Sequence, residues 1–148
     1  MKQKILSFIF DGKKFLALHS EPHEKHGEGG WFVVTGGVED NESFEEAVKR
    51  EVKEETNLDA VELLNLNWGS IYEWWDEVCE EMNFITFVNH GMVKLNEEHN
   101  KFEWLNIEEF IKIMKWDDDK NLLKEVLSKA INKKVYFKEK EIKDYRKH

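Results

Sequence analysis

The sequence predicts an α/β fold of the α+β type, in which a mixed β-sheet is flanked by helices. Two observations support this fold class: apolar, β-rich segments stand on both sides of one helical segment, and further amphipathic helical segments follow them. The 148 residues, 41% of them hydrophobic, suffice for one packed core. We predict a single domain over residues 1–148, because no repeat or linker divides the chain; the tail from about residue 134 has no predicted structure.

The first predicted elements are the two strands of a hairpin. Residues 5–10 and 15–18 are apolar and β-rich, and Asp11-Gly12 between them is a typical hairpin turn. Residues 19–30 are rich in glycine and polar side chains and predict a loop. A short buried strand is then expected over residues 31–34, leading into a pair of glycines.

A helix is predicted to begin after Ser43. Ser43 and Glu46 have the spacing of a capping box, in which each side chain accepts a hydrogen bond from the other residue's backbone N–H. Asn57 is expected to end the helix, because asparagine tolerates the left-handed conformation. The apolar side of the helix is predicted to consist of Phe44, Val48 and Val52.

The rest of the chain predicts strands followed by two short helices. The acidic run from Asp117 to Asp119 is interpreted as a helix N-terminus rather than a metal cluster, because the helix dipole favours acids there. The predicted segments are an irregular strand over residues 60–75, a strand over 82–93, a loop over 96–101, a short strand over 102–105, and helices over 106–115 and 117–133.

The composition narrows the possible functions and locations. A formal net charge of −9 argues against binding to long nucleic acids, which normally requires a basic surface. Small polyanions remain possible partners, because a bound metal ion inverts the local field. Cys79 is the single cysteine, so no intramolecular disulfide can form. With neither a membrane-spanning run nor a signal peptide in the sequence, we expect a cytoplasmic protein without membrane contact.

Three glutamates form the most informative pattern. Glu51, Glu54 and Glu55 are three and four residues apart and would project from one side of the predicted helix, where their charges repel. A bound divalent cation would reverse this penalty, and Mg²⁺ prefers carboxylate oxygens and often acts together with substrate phosphates. The pattern therefore predicts a metal-dependent site for a phosphorylated substrate. The alternative is an ordinary solvated face of charges.

This segment resembles the Nudix box, the signature of the Nudix hydrolase family. The pattern requires a glycine, a glutamate, an Arg-Glu pair, an aliphatic residue, a Glu-Glu pair and a final aliphatic residue at fixed spacing. The matching residues are Gly36, Glu42, Arg50, Glu51, Val52, Glu54, Glu55 and Leu58. Asn57 replaces a glycine of the pattern, and asparagine also meets the physical demand for a helix stop.

Two further segments are similar to the dihydroneopterin triphosphate and dATP pyrophosphohydrolase subgroup of that family. They are residues 31–43 and residues 97–110, where a Glu98-His99 pair precedes a Trp-Leu pair and a helix. The resemblance implies the Nudix fold and the cleavage of a diphosphate linked to another group, usually a nucleoside. It also implies Mg²⁺, or Mn²⁺, as the cofactor, with water attacking phosphorus.

The resemblance further implies the residues of the site. Arg50 is expected to orient a ligand carboxylate, and Gly37 and Glu42 to support the loop. Which glutamate acts as general base stays open. The implied metal ligands are the Gly36 carbonyl and the carboxylates of Glu51, Glu54, Glu55 and Glu98. The implied catalytic residues are Arg50, Glu51, Glu54 and Glu98, although Glu97 is an immediate neighbour of the last. Trp31 is expected either to contact the substrate or to pack within its strand.

Three functions follow as alternatives. The first is hydrolysis of a nucleoside or pterin triphosphate to pyrophosphate and a monophosphate, and the second is hydrolysis of a dinucleoside polyphosphate or a sugar nucleotide. The third is a sensor that binds nucleotides without cleaving them, and the intact set of glutamates favours an enzyme instead. We expect a small nucleotide-like partner. The histidines His19, His23 and His26 are expected to belong to a mobile loop on the substrate side rather than to a zinc site, because no cysteine accompanies them.

Overall fold

The structure, a computed structural model, describes residues 1–22 and 27–146. Within these ranges the chain forms eight strands and three helices. The strands are β1 (Lys2–Phe10), β2 (Phe15–Ser20), β3 (Gly30–Phe32), β4 (Val34–Gly37), β5 (Ala60–Trp74), β6 (Glu77–Val88), β7 (Lys101–Leu105) and β8 (Glu141–Asp144). The helices are α1 (Phe44–Thr56), α2 (Ile107–Ile113) and α3 (Lys120–Ala130).

The strands form one mixed sheet in the order β3-β2-β1-β6-β5-β8, while β4 pairs with β1 and β7 pairs with β2. The pairs β1–β6 and β5–β8 are parallel, and the other pairs are antiparallel. The predicted fold class, a mixed sheet flanked by helices, is therefore confirmed. None of the helices in the described ranges combines the length and the apolar character that a membrane span requires.

The two faces of the sheet carry separate hydrophobic cores, because successive residues of a strand point to opposite sides. In β1, Phe8 belongs to the core under α2 and α3, whereas Ile9 belongs to the core under α1. Phe110 of α2 is fully buried and stacks on Phe15 with ring centroids 5.0 Å apart. On the other face, Val48 of α1 is also fully buried.

Several predicted elements are confirmed. The hairpin closes with Phe10 paired to Phe15. The capping box of α1 is present, with the Glu46 backbone N–H donating to Ser43 Oγ and the Ser43 backbone N–H donating to Glu46 Oε1, both at 3.1 Å. Asn57 adopts the left-handed conformation with φ 66° and donates its backbone N–H to the Lys53 carbonyl.

Other boundaries differ from the prediction. The strand expected over residues 31–34 is divided at Val33 into β3 and β4, which pair with different strands. The strand expected over 82–93 instead spans Glu77–Val88, because it continues the long hairpin with β5 past the apolar segment. The two C-terminal helices are shorter than predicted, and β8 forms in the tail for which no structure was predicted. His23 and His26 lie outside the described residues.

Candidate metal-binding site

Helix α1 presents its three glutamates at three different depths. The Glu51 side chain is 12% exposed, that of Glu54 is 54% exposed, and that of Glu55 is 1% exposed. Glu55 is fully buried because α1 packs against the sheet on the side where Val52 and Thr56 lie. A buried carboxylate needs a compensating partner, so its surroundings decide what the site can bind.

Gly36 of β4 lies directly against the Glu51 carboxyl group. A Cβ atom at residue 36 would stand 2.1 Å from Glu51 Cδ, closer than non-bonded carbon atoms can approach. Glycine is therefore required here by the close approach of backbone and side chain. The contact places the backbone of Gly36 beside the first of the predicted ligand carboxylates.

Arg50 connects the loop before α1 to the glutamates of the helix. Its Nε and Nη2 donate to the two carboxylate oxygens of Glu42 at 2.8 and 2.9 Å, a bidentate arrangement. Nη2 also donates to the Gly37 carbonyl at 2.7 Å, and Nη1 donates to Glu51 Oε1 at 2.7 Å and to Glu54 Oε2 at 3.4 Å. The geometry is that of a side chain orienting two of the predicted ligand carboxylates.

Glu42 is fixed by more than its bonds to Arg50. Glu42 Oε1 also accepts the backbone N–H of Glu39 at 3.0 Å. The hydrogen bonds from the Arg50 guanidinium and from this N–H lower the pKa of Glu42 to about 2, so Glu42 stays ionised. Glu42 and Gly37 are thus both hydrogen-bonded to Arg50, and their supporting role in the site stays a prediction.

Glu55 is the uncompensated acid of the cluster. Within the described part of the chain, its buried Oε2 accepts no hydrogen bond. Burial raises the pKa of Glu55 far above its ordinary value, and the carboxylates of Glu98 and Glu51 raise it further. The three acids, which come from α1 and from the loop before β7, are therefore close enough to repel one another.

His99 joins the cluster, although no sequence pattern predicted a role for it. Ligand atoms of Glu55, Glu98 and His99 all lie within 4.8 Å of one another, and His99 Nδ1 is 3.8 Å from Glu55 Oε1. Burial, assisted by the neighbouring His19, lowers the pKa of His99 to about 4, which keeps the imidazole neutral and able to coordinate a metal. The sequence feature that could have indicated His99 as a member of the cluster is its position directly after Glu98.

The loop before β7 brings Glu98 to α1 across a long sequence separation. The Glu98 backbone N–H donates to Asn96 Oδ1 at 3.0 Å, and Ser20 Oγ donates to the Glu98 carbonyl at 3.1 Å. Glu98 stays solvent-exposed while it adjoins Glu55. Glu97 and Glu54 are exposed and are not members of the group around Glu55.

Trp31 lies at the edge of this region in a packed position. Its ring meets His19 edge-to-face with centroids 5.0 Å apart, and Lys101 Nζ lies 5.7 Å from the ring centroid. The half-buried ring also contacts the core beneath α2 and α3. These contacts account for Trp31 as a packing residue, and its contact with substrate stays a prediction.

The cluster has the donor chemistry of a hard divalent cation site. Its ligand atoms are mainly carboxylate oxygens, the type that Mg²⁺ prefers, and one buried oxygen lacks a partner. This arrangement of three neighbouring acids, one of them buried, is energetically favourable only if protons or a cation remove part of the negative charge. The residues present therefore fit a divalent metal ion.

The fold and the site together define the class of protein. It is an α+β protein that holds an acidic cluster between β4, which carries Gly36, and the capped helix α1. The chain belongs to the NUDIX domain family, whose sequence model matches residues 2–126. This match, with hydrolases among the relatives, supports the prediction of an enzyme of the Nudix pyrophosphohydrolase class.

Individual relatives are similar over different shares of their length. The NAD-capped RNA hydrolase NudC of Mannheimia succiniciproducens is 31% identical over 96 residues, which cover 64% of this chain and 35% of the relative. The chain thus spans about a third of the length of that curated relative. The similarity to NudC does not single out the predicted pterin triphosphate subgroup.

Solved structures of similar fold include the MutT protein of Methanosarcina mazei Go1, with a TM-score of 0.71 and 24% identity. The alignment covers 90% of this chain and 96% of that one. The dihydroneopterin triphosphate pyrophosphohydrolase of E. coli is similar with a TM-score of 0.65 and 23% identity, over 83% of this chain and 92% of that one. At these identities the similarity shows the shared fold.

Proposed function

We propose that this single domain is a Mg²⁺-dependent pyrophosphohydrolase that cleaves a diphosphate bond of a nucleoside or pterin triphosphate. The products would be pyrophosphate and a monophosphate. The observation that carries the proposal is the buried Glu55 carboxyl group, which lies beside Glu51 and Glu98 and leaves one oxygen without a hydrogen bond. A buried carboxylate without a partner destabilises the folded protein unless a cation or a proton neutralises its charge.

The proposed metal ligands come from three parts of the fold, which are β4, α1 and the loop before β7. A bound Mg²⁺ or Mn²⁺ would neutralise charge on the phosphate oxygens and make the attacking water more acidic. Arg50 keeps Glu51 oriented through the 2.7 Å hydrogen bond, and Glu42 holds the guanidinium in place. The groups proposed to hold the ion are the Gly36 carbonyl and the side chains of Glu51, Glu54, Glu55 and Glu98.

Glu98 and Glu54 are the two candidates for the general base, and whichever of them is not the base is proposed to serve as a metal ligand only. Both carboxylates are exposed, so either can accept a proton from water and pass it to solvent. Glu55 is unsuited to this role, since its burial and its acidic neighbours oppose its ionisation. Trp31 is proposed to contact the substrate from the edge of the site.

The substrate is proposed to be a small nucleotide-like molecule in the cytoplasm. The net charge of −9 supports this class over long nucleic acids. A second candidate is another nucleoside diphosphate derivative, such as a dinucleoside polyphosphate or a sugar nucleotide. The similarity to the NudC protein, described as an NAD-capped RNA hydrolase, favours including NAD in this group.

The test is a product assay on the whole chain with Mg²⁺. Products would be separated and identified by ion-exchange chromatography for the common nucleoside triphosphates, dihydroneopterin triphosphate, a dinucleoside tetraphosphate, ADP-ribose and NAD. The triphosphates should release pyrophosphate and a monophosphate, whereas the other compounds would be cleaved into two phosphorylated fragments. Glu54→Gln and Glu55→Gln should each lose most of the activity, and Glu45→Gln, an exposed change in the first turn of α1, is the matched control. Equal rates in the wild type and Glu54→Gln would end the proposal, and tight binding without turnover would favour the sensor.

A further inference from the structure

His99 carries a buried nitrogen atom that has no hydrogen-bond partner in the described part of the chain. Its side chain is 8% exposed, and the unpartnered atom is Nδ1. The Oε2 atom of Glu55, in the same cluster, is buried without a partner as well. Buried polar atoms are unfavourable unless a ligand or water supplies a partner, so these two atoms are candidates for one shared ligand.

The separation of His99 and Glu55 fits a shared metal ion better than a direct hydrogen bond. His99 Nδ1 is 3.8 Å from Glu55 Oε1, whereas N–H···O hydrogen bonds are about 2.7–3.2 Å long. Two ligand atoms that each lie about 2.1 Å from one ion are about 3.0 Å apart at a right angle and about 4.2 Å apart on opposite sides. The observed distance lies between these limits. The Glu98 carboxylate also has an oxygen within 4.8 Å of ligand atoms of both residues.

We propose that His99 Nδ1 is a ligand of the ion held by Glu55 and Glu98, and that this nitrogen makes the site select Mn²⁺ and later first-row transition-metal ions over Mg²⁺. The inference rests on the metal site of the proposed function and adds the ligand that decides which ion the site prefers. Mg²⁺ prefers oxygen ligands, whereas imidazole nitrogen suits transition metals, whose affinity for such sites rises from Mn²⁺ to Co²⁺. A site of mixed carboxylate and imidazole ligands therefore favours the transition-metal ion.

The imidazole of His99 is kept in a form that can coordinate a metal ion. Its burial opposes a positive charge on the ring, which agrees with the low pKa of the group. Coordination through Nδ1 requires the single ring proton to be on Nε2, because a metal binds the nitrogen that carries the free lone pair. A neutral ligand adds no charge of its own, so the neighbouring carboxylates keep their full attraction for the cation.

The residues on both sides of His99 in sequence are fixed to the end of β2. The Asn100 backbone N–H donates to the His19 carbonyl at 2.9 Å, and Asn100 Oδ1 is hydrogen-bonded to His19 Nδ1 at 2.8 Å. On the other side, Ser20 Oγ donates to the Glu98 carbonyl at 3.1 Å. A ligand whose backbone is held in this way loses little conformational freedom when the ion binds, so His99 is pre-organised for coordination.

A water molecule between His99 and Glu55 is the alternative to direct coordination. Such a water would give hydrogen bonds to both buried atoms and would account for their separation equally well. It would not make His99 discriminate among divalent ions, because the ring nitrogen would then touch no metal. The dependence of metal selectivity on His99 therefore separates the two arrangements.

The test measures the affinity of the whole chain for Mg²⁺, Mn²⁺ and Co²⁺ by isothermal titration calorimetry. His99→Gln replaces the ring nitrogen by an amide, and His99→Leu removes every donor atom. His90→Gln is the matched control, since the side chain of His90 is 71% exposed, pairs with Asp11 and is not a member of the cluster. Loss of the nitrogen should weaken Co²⁺ binding by about 10–100-fold and Mn²⁺ binding by about tenfold, but Mg²⁺ binding by less than about threefold. The control should bind all three ions as the wild type does.

An equal loss for the three ions, or no loss for any of them, would overturn the inference. A measurement on the wild type does not depend on how the variants fold: ¹⁵N NMR of histidine-labelled protein titrated with Zn²⁺, a diamagnetic ion that binds imidazole. The Nδ1 resonance of His99 should shift to that of a metal-bound nitrogen, and an unchanged resonance at saturation would reject coordination in favour of a water bridge. The proposed function is judged separately by the product assay. Hydrolysis with no role of His99 in metal selectivity rejects this inference alone, and selective metal binding without hydrolysis rejects the enzyme alone.

Discussion

Gly36 and Glu51 are in direct contact, with the carboxyl group of the helix occupying the space where a side chain at residue 36 would begin. Gly36→Ala should therefore displace the Glu51 carboxylate and weaken Mg²⁺ binding by about tenfold or more, while the fold persists. Calorimetric titration with Mg²⁺ and circular dichroism would measure the two effects. Gly37→Ala is the matched comparison, because an added methyl group there meets no atom within 4 Å. Equal losses in both variants would contradict this role for Gly36.

Arg50→Lys keeps the positive charge but removes the bidentate hydrogen bonds to Glu42 and separates the loop from the helix. We expect metal affinity and kcat/KM to fall by about 10–100-fold, because the ligand carboxylates lose their orientation. Steady-state kinetics at several Mg²⁺ concentrations would measure this. Lys49→Arg, an exposed change at the preceding residue, should have no comparable effect. Full activity of Arg50→Lys would show that charge alone is sufficient.

The stability of the metal-free protein should fall as the pH rises above about 6.5. Burial and the neighbouring acids raise the pKa of Glu55, so the unfolded chain loses this proton at lower pH than the folded chain does. Protonated Glu55 therefore stabilises the folded state at low pH. This contribution to the free energy of unfolding declines as the pH rises above 4.5, the ordinary pKa of the group. His99 has the opposite effect on stability. Between about pH 4 and pH 6.5, its ordinary pKa, stability rises with pH, because the folded protein favours the neutral imidazole.

The two effects separate about one pH unit above 6.5, where His99 is neutral in the unfolded chain as well as in the folded chain. Urea unfolding in EDTA between about pH 7.5 and about pH 8.5 would measure the contribution of Glu55. Glu55→Gln should remove most of the pH dependence in this interval. Mg²⁺ should stabilise the wild type more at the higher pH, because the ion competes with the proton. A pH dependence that is the same in Glu55→Gln would assign it to other groups.

Phe110→Ala should destabilise the fold by about 3–5 kcal/mol without a direct effect on metal binding. Phe110 is fully buried, stacks on Phe15 and meets Phe8 edge-to-face, so its loss opens a cavity between α2 and the sheet. Chemical denaturation measures the change. Phe102→Ala, at a residue that is 39% exposed, should cost about 1 kcal/mol or less. Similar losses for both would mean that α2 does not depend on this contact.

Asn57 ends α1 with φ 66°, a conformation that a residue with an ordinary side chain adopts at a cost. Asn57→Ala should therefore destabilise the protein by about 1 kcal/mol, whereas Asn57→Gly should leave stability equal or slightly higher. Thermal unfolding of the two variants would show the difference. If alanine were tolerated as well as glycine, the left-handed helix end would not explain why asparagine suits this residue.

The sequence alone determined the local structure around α1. Ser43 and Glu46 cap the helix start and Asn57 ends it, because capping depends on a few neighbouring residues and on backbone sterics. The glutamate spacing likewise predicted an acidic cluster on one side of the helix. The β5–β6 hairpin was predicted as two strands, but their ends were not, since cross-strand pairing extends strands beyond their apolar segments.

Only the tertiary structure decided how these residues differ from one another. Packing of α1 on the sheet buries Glu55 and leaves Glu54 in solvent, although the two are adjacent in sequence. Long-range contacts bring His99 to Glu55 and pair β8 with β5, and no local pattern encodes such pairings. The physical reason is that helix caps and side-chain spacing are local properties of the chain. Burial and pKa depend instead on which distant segments exclude water together.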